Sequence, residues 1–181
     1  MQEIIFTEDV YQMNWLRSDY PYAKVYCPKE LVSQVKNHRE KDLVITEICL
    51  TNQSNKPMFT TVDSIQISFP LEDRYDKSDI CMTRRCHTHL FCGENISYIM
   101  ALRMGGEAPH FGMVLTQGSL SRYSVRRDVS KQSNDRGCFY LHPSPMEFQP
   151  GECKVIRWVI FPHSGKEDFK SLFSIFINTK K

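Results

Sequence analysis

CMTRRCHTHLFC, residues 81–92, packs three cysteines and two histidines into twelve positions. Read as a metal-binding knuckle, it makes the chain a metalloprotein; read as a β-strand, it makes the chain a sandwich. A closed zinc site needs four ligands converging tetrahedrally, usually as two close pairs. CHTHLFC, 86–92, lies between turn-rich loops, and on a strand its side chains alternate. Cys86, Thr88, Leu90 and Cys92 then face one way, and His87, His89 and Phe91 the other. Cysteines and histidines on opposite faces cannot share an ion without a bulge between them. The strand reading therefore expects no bound metal, with Cys86 and Cys92 buried as small hydrophobic thiols.

The flanking sequence supports strands. LVITEICL (43–50) is an apolar, β-branched run too short for a helix, and the TNQSNKP that follows is dense in turn residues. SIQISF (64–69) alternates strictly, with Ile65, Ile67 and Phe69 on one face and Ser64, Gln66 and Ser68 on the other. ISYIMALRM (96–104) sets Ile96, Tyr98, Met100, Leu102 and Met104 against a mixed face of Ser97, Ile99, Ala101 and Arg103, which suits a central strand. FGMVLTQG and SLSRYSV are expected to pair about a turn near Gly118, and KVIRWVIF to leave the PGE turn (150–152) as a strand buried on both faces. LVSQV can pair with LVITEICL across NHREKD, or form a short helix instead. One helix is expected late: Ser164 and Glu167 have the spacing of a capping box, followed by Phe169, Leu172, Phe173 and Phe176. The fold expected from these patterns is all-β, an antiparallel β-sandwich with one short helix near the C-terminus, in one domain over residues 1–181.

Composition excludes several classes. The chain has 181 residues, 41% of them hydrophobic and 24% charged, and a net charge of +2, too little to recruit nucleic acid or an acidic membrane surface. No apolar run reaches membrane-spanning length. The first twenty residues lack the basic-then-apolar pattern of a signal peptide. With seven irregularly spaced cysteines, this points to free thiols in the cytoplasm.

Three stretches carry site chemistry. His87 and His89 share a face and could ligate a metal if His110, His142, His163, Glu107 or Asp135 supplied a third donor, but no second motif selects one. No cofactor is expected. GGEAPHFG (105–112) places Glu107 and His110 on a glycine-rich turn whose ordinary reading is a loop using its glycines for backbone geometry. RRDVSKQSNDRGCFYLHPSP (126–145) gathers Asp135, Arg136, Tyr140 and His142; planar polar groups beside aromatics suit sugar hydroxyls. Trp158 belongs in the core, and Trp15 lies in an N-terminal segment without a clear pattern. The candidate ligand-binding set is His87, His89, Glu107, His110, Asp135, Arg136 and His142, expected in one polar concavity.

RRCHTHLFC, then SYIMALRMGGEAPHFGMVLTQGSL, then SNDRGCFYLHPSP followed by PGE and an apolar strand, resembles the N-terminal β-sandwich domain of bacterial glycan-active enzymes. Over roughly residues 40–170 the chain is similar to the galactose-mutarotase-like supersandwich, which precedes a helical catalytic barrel. The resemblance implies a carbohydrate-associated accessory or binding domain, a remnant or subunit of a glycoside hydrolase, whose catalytic carboxylates belong to the barrel. Its expected partner is a carbohydrate or a catalytic partner domain, with no nucleic acid and no membrane. Two other readings stand beside it: a sugar epimerase or metal-assisted enzyme using the His87/His89 face, and a structural protein-interaction module.

Overall fold

A computed structural model describes residues 23–70, 86–103, 105–106, 108–127 and 137–178. The chain is an all-β sandwich. A six-stranded antiparallel sheet has the order β2-β3-β12-β8-β7-β6 and a four-stranded one the order β1-β5-β10-β9. The larger sheet contains β2 (Leu31–Glu40), β3 (Leu43–Asn52), β6 (Cys86–Gly93), β7 (Ile96–Arg103), β8 (His110–Gln117) and β12 (Cys153–His163). The smaller contains β1 (Lys24–Tyr26), β5 (Gln66–Pro70), β9 (Leu120–Arg127) and β10 (Gly137–Pro143). β4 (Met58–Phe59) and β11 (Glu147–Phe148) pair separately, and one helix, α1 (Lys166–Asn178), follows β12.

Alternation places the core between the sheets. Ile67 and Leu141 from the smaller sheet meet Ile48, Leu50, Ile99, Met113, Leu115, Ile156, Trp158 and Ile160 from the larger. β12 is buried on both faces as expected, because its other row, Val159 and Phe161, lies under α1 with Val114 and Phe169. LVSQVKN is strand, not helix: β2 pairs with β3 along ten residues, and Lys41 takes the left-handed conformation in the two-residue turn. CHTHLFC is strand β6. Leu90 and Cys92 pack on the inner cluster, whereas His89 and Phe91 are exposed on the outer face. The side chains of Cys86 and His87 lie outside the described residues.

β7 is an interior strand of the larger sheet, as expected, and its mixed row is the inward one: Ser97, Ile99 and Ala101 are buried between the sheets, while Tyr98 and Met100 pack outward against α1. Small and hydroxyl-bearing residues suit the inner position, where Ser97 donates to the Glu94 carbonyl at 3.0 Å. Other expectations need correction. β8 and β9 do not pair with each other. The chain crosses between sheets at Gly118, whose φ of 88° is the left-handed region that favours glycine, and β9 joins β10. The helix starts one residue later than the S-x-x-E spacing implies. Phe169 N–H donates to the Gly165 carbonyl, so the third helical residue is Asp168, and its carboxylate accepts from the Ser164 amide at 2.7 Å. Glu167 instead pairs with Lys170.

The cysteines also divide differently. Cys27 and Cys92 are free and half-buried, and burial pushes the Cys92 thiol up to about 11. Cys49 and Cys153, however, form a disulfide across 104 residues. Cys49 opposes Val155 and Cys153 opposes Thr51, so the two are diagonal neighbours on one face of β3 and β12. Such a pair leaves no trace in sequence spacing. The expected cytoplasmic location rested on the signal-peptide reading together with free thiols, and the Cys49–Cys153 bond does not fit the second of these, since disulfides persist mainly in oxidising compartments.

One buried side chain ties the minor β4–β11 sheet to the sandwich. Asn52, fully buried, donates through Nδ2 to the carbonyls of Lys56 (2.9 Å), Phe148 (3.3 Å) and Gln149 (3.3 Å). Its Oδ1 accepts from the Ser54 amide at 2.9 Å and hydroxyl at 2.8 Å. The turn-rich TNQSNKP segment thus folds around its own second residue.

Candidate functional site

The outward face of the smaller sheet is built from the polar rows of its strands. The register sets Tyr26 opposite Gln66, and Tyr140 opposite Ser68 and Ser124. Above this face opens a cleft of about 620 Å³ lined by Tyr26, Cys27, Pro28, Asp63, Ser64, Gln66, Ser124 and Tyr140. The Tyr26 and Tyr140 rings lie 6.2 Å apart and tilted by 52°, forming an angled aromatic wall. Lys24 Nζ sits 5.1 Å from the Tyr26 ring centre. On the opposite side Asp63, from the turn before β5, makes an ion pair with Arg122 of β9. Hydroxyl, amide and carboxylate groups beside flat rings provide both donors and acceptors on an apolar platform.

His142 forms the support beneath. It is 1% exposed, and its Nε2 lies 2.8 Å from Ser124 Oγ while Nδ1 lies 3.2 Å from the Val62 carbonyl oxygen. Both ring nitrogens are therefore engaged, one by a cleft-lining side chain and one by the turn that carries Asp63. Burial holds the His142 pKa below the usual histidine value, with nearby Arg122 acting in the same direction and the Val62 contact opposing it. His163 is lowered by burial as well. The unfolded chain thus binds these protons more readily than the folded one, so stability is full above about pH 6.5 and falls as the pH drops through and below that value. Urea midpoints measured between neutral pH and pH 5 should show this decline, and His142→Gln should flatten part of it. A midpoint that rises on acidification would contradict neutral, buried histidines.

Only part of the expected set comes together. His142 supports the cleft, and Tyr140 of the same stretch lines it. His89 is exposed on the outer face of the larger sheet, opposite Met100 of β7. His110 starts β8, is buried, and packs 5.4 Å from the His163 ring beside α1. His89 and His142 thus occupy outward faces of different sheets, separated by the core, and cannot share one concavity. Glu107, Asp135, Arg136 and the His87 side chain lie outside the described residues. Among the described residues no three His, Cys, Asp or Glu side chains converge in the manner of a metal site. A second concavity, of about 210 Å³ between β7 and α1, is walled by Tyr98, Met100, Phe169 and Phe173 with two lysines at its edge, too apolar for a hydroxyl-rich ligand.

Tyr26, Asp63, Gln66 and Ser124 were not among the expected site residues. The polar positions of SIQISF were the available signal: Gln66 and Ser68 form an outward-facing row on β5, where a sheet offers hydrogen bonds, and Ser64 belongs to the turn just before it.

No protein-family model matches the chain, and no curated protein matches it. Among solved structures it is similar to a polysaccharide lyase, at 26% identity and a TM-score of 0.76 over 86% of this chain. The likeness takes in 23% of the lyase, so this chain spans about a quarter of that protein's length. A kojibiose phosphorylase from the human microbiome aligns over 76% of this chain and 17% of its own, with 7% identity and a TM-score of 0.40. At that score it says nothing about this chain. No helix among the described residues is long and apolar enough to cross a membrane.

Proposed function

We propose that this chain is a carbohydrate-associated β-sandwich of the galactose-mutarotase-like kind, and that it binds glycan in the cleft over β1, β5, β9 and β10. Likeness to part of a polysaccharide lyase supports the association with glycans. The observation that carries the reading is the cleft itself: the angled Tyr26–Tyr140 wall facing Gln66, Ser124 and the Asp63–Arg122 pair. Sugars present hydroxyls at their edges and C–H groups on their faces, and both find partners here. The reading we favour is binding: among the described residues Asp63 is the one carboxylate on the lining, and it is paired with Arg122, whereas paired general acid/base chemistry uses two acids facing each other.

Binding in an open cleft is weak, because little area is buried against the cost of lost rigid-body freedom. The assay is therefore NMR titration of the full chain with millimolar cellohexaose, xylohexaose, mannohexaose and galactohexaose. At least one should shift amides of β5, β9 and β10. Tyr140→Ala removes about 1–2 kcal/mol of stacking and apolar contact, or roughly a tenfold loss of affinity. Absence of shifts with every hexasaccharide, or affinity unchanged in both Tyr140→Ala and Tyr26→Ala, would refute the reading.

A further inference from the structure

His142 uses both ring nitrogens, one of them on Ser124, a side chain that lines the cleft. Nδ1 lies 3.2 Å from the Val62 carbonyl oxygen, and a carbonyl only accepts, so Nδ1 carries the ring's proton. A neutral imidazole has one proton. Nε2 is then a lone pair, and the Ser124 hydroxyl, 2.8 Å away, donates to it. A hydroxyl has a single proton to give. What Ser124 has left for the cleft it lines is acceptor capacity alone.

We propose that His142 is a positioning residue that fixes Ser124 as a hydrogen-bond acceptor, so that the cleft selects an unsubstituted hydroxyl or an N–H group at that point over an ether or ester oxygen. The inference rests on the glycan reading only for the identity of the ligand; the polarity belongs to the cleft whatever fills it. In glycan terms, a sugar O-methylated or O-acylated at the contacted position is refused. Protonation of His142 reverses the polarity. Nε2–H would then donate to Ser124 Oγ, and the hydroxyl proton would turn toward the cleft and ask for an acceptor. The charged groups facing His142 are Arg122 of β9 and Asp63 of the turn before β5. They are paired with each other, which limits their net pull on the ring. Burial keeps the ring neutral around pH 7, so the acceptor state is the resting one.

The test uses the full chain and two probes of the same skeleton, isopropanol, which donates and accepts, and acetone, which only accepts. At pH 7.5 isopropanol should shift the Ser124 and Tyr140 amide resonances several-fold more than acetone does at equal concentration. Below the His142 pKa the preference should shrink or invert, and Ser124→Ala, which leaves the ring buried, should abolish it at both pH values. Nitrogen spectra of the histidine rings report the tautomer directly in the unaltered protein, and the expected form carries its proton on Nδ1. An Nε2–H ring at neutral pH, or equal response to the two probes, would overturn the proposal. Failure of all the hexasaccharides with the probe preference intact removes only the glycan reading. A bound hexasaccharide with no probe preference removes only this inference.

Discussion

Phe169→Ala is expected to lower the unfolding free energy by about 3–5 kcal/mol, the range for deleting a buried phenylalanine side chain. Phe169 is 3% exposed and joins α1 to the outer face of the larger sheet. Its ring centre lies 5.5 Å from Tyr98, 5.7 Å from Phe161 and 5.3 Å from His163, so three neighbours lose their partner together. The site cannot easily collapse, because the surface below is a rigid sheet. Gly112 sets how close the helix can come. A Cβ there would stand 2.5 Å from Phe161 Cε2 and 3.0 Å from Phe169 Cε2, so the absence of a side chain makes room for the stacked pair. Urea denaturation of Phe169→Ala measures the loss. A change below about 1 kcal/mol would mean that α1 contributes little to the fold.

Asn52→Ala should cost about 2–4 kcal/mol, although alanine introduces no clash and removes little apolar area. The loss comes from what is left behind. The carbonyls of Phe148 and Gln149 lose the amide that reaches them across the β4–β11 junction, and Ser54 loses its acceptor. Asn52→Asp separates the two halves of this network. It keeps an oxygen for Ser54 but turns the donor into a second acceptor facing three carbonyls, and should destabilise at least as much as alanine. If Asn52→Asp proves milder than Asn52→Ala, the Nδ2 contacts are not what holds the junction.

Where one face of a strand is simply apolar, the pattern of residues was enough to place it: SIQISF, KVIRWVIF and the LVSQV–LVITEICL hairpin lie where alternation and turn residues put them. The opposite placement of Leu90 and Cys92 against His89 and Phe91 likewise follows from the period of two in CHTHLFC. At β7 the two partly apolar rows correctly marked a central strand, but they could not say which row faces the other sheet, because α1 supplies a second apolar surface. The pattern misleads at Gly118, where a turn flanked by two strand-like runs looks like a hairpin but carries the chain to the other sheet. The cleft was the least legible part. Lys24 meets Ser68 across 44 positions and His142 meets Val62 across 80, so the site exists only once four strands are in register. His142 was marked for its chemistry and its surroundings, but nothing in 126–145 tells which sheet face it supports.

Within the six-stranded sheet, β12 is synthesised after all its companions yet occupies the third place, between β3 and β8. Until residues 153–163 leave the ribosome, β3 and β8 each present a bare hydrogen-bonding edge to a gap that nothing earlier in the chain fills. Glu47 of β3 and Arg157 of β12, which pair once that gap is filled, are 110 positions apart. Contacts of such separation are made slowly, because the entropy of closing the loop is lost before any contact rewards it. During translation the nascent sheet is therefore an open template for strands of other chains. A product cut short before β12 should accumulate as aggregate, not as a smaller sandwich.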